Sequence, residues 1–328
     1  MKSRRHELRA ALGFLLPNLL GFLTFTAGPV LFSLVVSFSN WHLHRTIPFQ
    51  WIWSGNFLAL LRDPQFTMYS LNTIYLMLGL PLAVAGSLAL AILLSQRLRG
   101  IVVYRTLFYL PTFTAGVALM LLWKALYNPE FGAFNAVINR ALDLAHADQL
   151  VRSLGGAGVS APTWLLSTKN LWGLEAEYVR VGPGQWGLGA RDALIIMGVW
   201  IAIGGNNMLL YLAGVANIPT ELVEAAQLDG AGRWAIFRNV TWPQLAPTTF
   251  FIVVMSCIGG LQGGFEQARV MTQGGPAGTT TTIAYYIYTK AFEEFQIGYA
   301  AALSWILFSA IFVITMINWR LGSKELSY

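Results

Sequence analysis

The side chains with chemical potential in this sequence are few and sit in apolar surroundings. Asn206 and Asn207 follow Gly204-Gly205, and Gln262, Glu266 and Gln267 cluster around Gly263-Gly264. Amides and a carboxylate in such company can hydrogen-bond the hydroxyls of a small polar ligand, since each amide offers both donors and acceptors. The amides cannot run proton transfer or nucleophilic attack, and Glu266 has no second acidic residue or histidine beside it to form a catalytic pair. No G-x-S-x-G, no H-E-x-x-H and no His-Cys cluster occurs, and no lysine follows the glycine-rich pattern that cradles nucleotide phosphates. His42 and His44 have the spacing of a metal pair but lack a third ligand. The single cysteine, Cys257, lies in an apolar stretch, which rules out an intrachain disulfide. The expectation is no catalytic residue, no metal site, no cofactor bound by this chain, and no enzyme.

A second group has a different character. The run Asn217 to Pro247 holds Glu224-Ala225-Ala226, then Asp229-Gly230-Ala231. Pro219 suits the first helical position, because its missing N–H would be unpaired there anyway. Glu221 in the first turn complements the helix dipole. Asp229-Gly230 closes the helix, glycine being free to adopt the left-handed conformation. A second short helix is expected from Arg233 to Val240, with Trp234, Ile236, Phe237 and Val240 on one side. Pro243 and Pro247 are expected to separate it from the next span. Two short helices with small residues at the corner let another protein's backbone approach closely; without that partner they would read as a hairpin lying on a membrane surface.

These groups must be positioned by an unusual scaffold. Of 328 residues, 55% are hydrophobic and 11% charged, and mean hydropathy is +0.56, whereas a soluble domain carries roughly 25% charged residues. Disorder and a water-soluble globule are both excluded. The net charge of +6 comes with no basic, aromatic-interleaved run, so nucleic acid is not a partner. Stretches long enough to cross a bilayer lie at about 11–38, 68–95, 104–127, 193–216, 248–270 and 299–319. The fold class is therefore all-α, a polytopic membrane protein with six transmembrane helices. With the N-terminus inside, the inner loops carry about 11 basic residues on about 60 positions, against about 9 on twice that length outside. Both termini are predicted cytoplasmic. The chain divides into residues 1–67, comprising the cytoplasmic start, first span and outer loop, and a core of spans two to six at 68–328. That core carries an outer insertion at 128–191 and the inner loop at 217–247. The outer segment is broken by Gly155-Gly156-Ala157-Gly158, Pro162 and Pro183-Gly184 and has one amphipathic stretch, Phe134 to Leu144.

Glu224-Ala225-Ala226, Asp229-Gly230-Ala231, Phe237, Thr241 and Pro243 resemble the EAA loop of membrane subunits of binding-protein-dependent ABC importers. Tyr104-Arg105, Leu110-Pro111, Tyr127-Asn128-Pro129 and Met271 to Pro276 resemble the maltose-type carbohydrate permeases, in particular the short six-span first permease of sugar and glycerol-3-phosphate systems. The resemblance covers nearly the whole chain. It implies a type I importer permease fold in the plasma membrane, with Glu224, Ala225, Ala226, Asp229, Gly230 and Ala231 forming a coupling helix that docks on an ATPase subunit. It implies a second homologous permease, two ATP-binding subunits that hold the ATP, an extracytoplasmic solute-binding protein, and a sugar or polyol moved by alternating access. It also puts the substrate pocket on spans four and five, where Asn206, Asn207, Gln262 and Glu266 are the candidates; Asn207 and Gln262 lead, and Glu266 stands nearest the outer surface. An apparent insertion at Trp172 to Gly189 and the glycines at 259–264 depart from the family pattern. The competing readings are an ion-coupled secondary transporter, which would need titratable residues deep in the spans, and a membrane scaffold.

Overall fold

The computed structural model describes residues 2–44, 47–96, 99–114, 116–146, 153, 160–175 and 181–322. Arg45, Arg97, Arg152, Arg180, Lys324, the glycines at 155–158 and part of the 172–189 insertion lie outside the described residues, as do the side chains of Lys2, Arg4, Arg5 and Arg9.

The described chain is helical and its longer elements follow the hydropathy. In order they are α1 (Lys2–Phe22), α2 (Gly28–Ser37), α3 (Gly55–Arg62), α4 (Pro64–Met77), α5 (Leu80–Ser95), α6 (Ile101–Tyr109), α7 (Gly116–Leu126) and α8 (Ala133–Leu144). There follow α9 (Ala190–Ile203), α10 (Asn206–Ala216), α11 (Thr220–Leu228), α12 (Arg233–Ile236), α13 (Trp242–Gln262), α14 (Phe265–Gln267), α15 (Ile283–Tyr288) and α16 (Ile297–Gly322). Among the described residues, five helical stretches are long and apolar enough to cross a membrane: Ala11–Ser37, Pro64–Ser95, Ala190–Ala216, Arg233–Gln262 and Ile297–Arg320. The expected third span is a sixth only as a bent pair, Ile101–Phe113 and Gly116–Leu126 at 99°.

Two boundaries move from the sequence expectation. The helical stretch that carries the fifth span, expected at 248–270, runs from Arg233 to Gln262. Pro243 falls in the first turn of α13 and Pro247 is carried inside the helix. The prolines therefore do not separate the second short helix from the span. A π-helical turn, Phe237–Thr241, joins them. At the other end Gly264, with φ of +82°, stops the helix. The fourth span starts at Ala190 because the Asp192 carboxylate accepts the Gly189 N–H at 3.2 Å and caps it.

The chain separates into two compact units, residues 1–63 with 286–309 and residues 64–285 with 310–328. In the first, the buried Asn56 amide donates to the Ser37 and Ser39 carbonyls, each at 2.8 Å. Asp63 accepts hydrogen bonds from the hydroxyls of Tyr286, at 2.5 Å, and Tyr299, at 2.7 Å. Burial pushes the Tyr286 phenol above its ordinary pKa, which keeps it a donor. His44 stacks edge-on against Phe295 at 5.1 Å. In the second unit two apolar cores form. One gathers Leu119, Trp123, Tyr127, Trp164, Leu194 and Met197, and the other Leu88, Leu94, Met208, Tyr211, Leu245 and Ile252. Trp200 meets Trp123 edge-on at 5.4 Å, a packing contact.

Candidate functional site

Two features of the second unit carry functional geometry: a helical hairpin and a cavity. The hairpin is α11 and α12. Its corner closes as a Schellman motif, the Gly230 N–H donating to Gln227 O at 3.0 Å and the Ala231 N–H to Ala226 O at 2.9 Å. Gly230 has φ of +79°, the left-handed conformation expected of it. Pro219 stands one residue before the helix instead of inside it, with ψ of 127°. Glu224, Ala225, Asp229 and Gly230 are exposed, and Ala226 and Ala231 are half-buried. No residue of α11 or α12 is buried. Leu228 is 90% exposed and Trp234 71%. Trp234 rests on Phe237 at 5.3 Å, and Phe237 on Trp242 at 6.3 Å, so an aromatic ladder runs from the hairpin into the start of α13.

Nearby, Arg105 donates to the Leu94 carbonyl through Nη2 at 2.7 Å and Nε at 3.3 Å. It closes the C-terminus of α5, where a cation meets the negative end of the helix dipole.

The cavity, of about 270 Å³, lies between α4–α5, α9–α10 and α13. Asn207 lines it and donates Nδ2 to Ser256 Oγ at 3.4 Å. Thr73, Gln267 and Thr282 supply the other polar groups of the wall. The remaining sequence candidates stand elsewhere. Asn206 is exposed and its Oδ1 accepts from the Tyr109 hydroxyl at 3.0 Å. Gln262 and Glu266 are exposed and off the cavity wall, and Glu266 Oε2 lies 3.2 Å from where a Cβ on Gly116 would be.

Helical phase explains the difference. Ser256, Gly259, Gly260 and Gly263 are spaced i, i+3, i+4, i+7 and share one face of α13, whereas Gln262 is turned about 120° away at 100° per residue. That spacing was readable, but Ser256 drew no attention because serine is a routine residue in an apolar helix. The glycines divide in purpose. A Cβ on Gly79 would meet Ile195 at 2.9 Å, and one on Gly260 would meet Met77 at 3.0 Å, so these two allow helices to touch.

A third arrangement was invisible in the sequence. Arg191, at the start of α9, is 1% exposed. Its Nη2 donates to the carbonyls of Thr168, at 3.4 Å, and Leu174, at 3.3 Å, and its guanidinium lies 5.0 Å from the Tyr75 ring centre. Asp192 accepts from Tyr75 OH at 2.7 Å and from the Leu171 and Gly189 amides at 3.2 Å. Adjacent residues of one helix start thus hold the described part of the insertion.

The model of the family described as "Binding-protein-dependent transport system inner membrane component" matches residues 52–321. The chain is 32% identical to a probable ABC transporter permease protein, YesP, of Bacillus subtilis, over 100% of this chain and 94% of that one. It is 28% identical to the sn-glycerol-3-phosphate transport system permease protein UgpA of Brucella abortus, covering 84% of this chain and 81% of the relative. Among solved structures, a bacterial ABC transporter involved in the import of the acidic polysaccharide alginate superposes with a TM-score of 0.75 at 23% identity, over 99% of both chains.

Proposed function

The chain belongs to the family of binding-protein-dependent transport system inner membrane components, and on that premise we propose that it is the six-span permease half of an ATP-driven carbohydrate or polyol importer. It is a multi-pass inner-membrane transport component and not an enzyme. The proposal extends this to the partners: a second homologous permease, two ATP-binding subunits, and an extracytoplasmic solute-binding protein. ATP belongs to the ATP-binding subunits, and both termini of this chain face the cytoplasm.

The observation that carries the reading is the hairpin around Gly230, which is fully built by its own hydrogen bonds and left uncovered on its outer faces. A partner's cleft can receive it without prior rearrangement, which lowers the cost of docking. The hairpin is also the end of a continuous helical stretch, Arg233–Gln262, 30 residues long, or about 45 Å at 1.5 Å per residue. The far part of that stretch is the cavity wall at Ser256 to Gly263. Movement imposed on the hairpin when the ATP-binding subunits close is delivered along one continuous helical stretch to the cavity, turning it from one side of the membrane to the other. Among the described residues, every group lining the cavity is uncharged, which suits hydroxyl recognition and offers an ion-coupled mechanism nothing to titrate.

Purification of the assembled complex in mild detergent, with mass spectrometry of the co-purifying chains, tests the reading. An ATP-binding subunit and a second permease are expected. A chain that purifies alone, or a Gly230→Trp variant that keeps both uptake and the ATP-binding subunit, overturns it.

A further inference from the structure

We infer that Gly198 and Gly259 set the width of the cavity and that the cargo passing it is a neutral, polyhydroxylated molecule, excluded when anionic; this rests on the permease reading. The two glycines stand on different helices, Gly198 on α9 and Gly259 on α13, and both line the cavity. A Cβ added to either meets nothing within 4 Å. They differ in this from Gly79 and Gly260, where the absent side chain makes room for a neighbouring helix. At Gly198 and Gly259 the absent side chain makes room for cavity alone. A volume of about 270 Å³ is just below the ~300–1,000 Å³ that holds small ligands, so a side chain of even moderate size at either position removes a large share of it.

The charge argument is independent. Thr73, Asn207, Ser256, Gln267 and Thr282 are the polar members of the wall, and among the described residues no cation or carboxylate lines it. Each of these groups can both donate and accept, matching hydroxyls that do the same. An anion entering such a site gives up hydration with no opposite charge to replace it. The first turn of α10 reaches the wall only at Asn207, a neutral amide whose Nδ2 is already donated to Ser256 Oγ.

The test uses the assembled transporter in proteoliposomes with Cys257→Ser as background and Gly198→Cys or Gly259→Cys added singly. Methyl methanethiosulfonate is the label, and maltose, raffinose, sorbitol and sn-glycerol-3-phosphate are the probes. Both cysteines should label from water, and at least one neutral probe should slow labelling at both positions by about tenfold, while sn-glycerol-3-phosphate leaves it unchanged. Gly259→Phe should then cut uptake of the protecting probe about tenfold or more, and Gly259→Ala less than about threefold. Equal protection by sn-glycerol-3-phosphate, no protection by any probe, or full uptake in Gly259→Phe would overturn the inference while the ATP-binding subunit still co-purifies. Loss of that subunit from the unmodified preparation would overturn the permease reading instead.

Discussion

The outer insertion at 128–191 and the inner loop at 217–247 both connect spans, and they hold themselves in opposite ways. In the described part of the insertion, the buried polar groups are spent internally. Asn170 is fully buried and pairs twice with Leu174, through Nδ2 at 2.8 Å and Oδ1 at 3.0 Å. Asn135 accepts from Trp164 Nε1 at 2.6 Å and donates to Pro129 and Pro162. Asp192 and Arg191 fasten the rest. In the hairpin, the backbone closes on itself but the side chains of Glu224, Asp229, Leu228 and Trp234 remain outside. A loop that satisfies its own polar groups is a fixed platform; a loop that satisfies only its backbone keeps its side chains for another surface. Position of the buried polar atoms, more than loop length, separates the two.

This contrast is open to mutation. Asp192→Ala should have the largest effect on stability, about 3–5 kcal/mol, since it strands Tyr75 and two amides and leaves the neighbouring arginine uncompensated; thermal unfolding in detergent measures it, and a shift indistinguishable from the unaltered chain would break the comparison. Asn135→Ala should cost about 1–3 kcal/mol by the same assay, through the orphaned Trp164 indole N–H. Gly230→Trp should cost only about 1–2 kcal/mol, the strain of a side chain in the left-handed region, yet abolish both uptake and recovery of the ATP-binding subunit. At the small end, Leu228→Ala should leave unfolding within about 0.5 kcal/mol while weakening co-purification measurably. If stability and coupling fell together at Leu228, the hairpin would be a packing element like the insertion.

Much of the scaffold was legible because hydropathy acts over whole spans and is insensitive to local detail. The hairpin was legible for a different reason: proline, acidic first turn and glycine corner each act locally, so α11 ends at the expected glycine. What failed were features set by three-dimensional neighbours. The expected third span is two helical stretches, Ile101–Phe113 and Gly116–Leu126, at 99°, the first of which ends in a 3-10 turn, Leu110–Phe113. Pro243 and Pro247 looked like a boundary but are absorbed, one in the first turn of α13 beside the π-helical turn and one inside that helix. Asn206 and Asn207 differ by 100° of helical phase, and only Asn207 reaches the cavity. Arg191 lies at the end of the outer segment, and counting basic residues cannot tell a buried arginine from one that faces water.

The first span has a consequence for how the protein is made. Its own chain covers only 6% of its most apolar stretch, against 33% for Pro64–Ser95 and for Ala190–Ala216. A segment with so little to gain from the rest of the polypeptide need not wait for it. It can leave the ribosome, partition into lipid on its hydropathy of 2.1, and stand as an anchor while the later spans are still being translated.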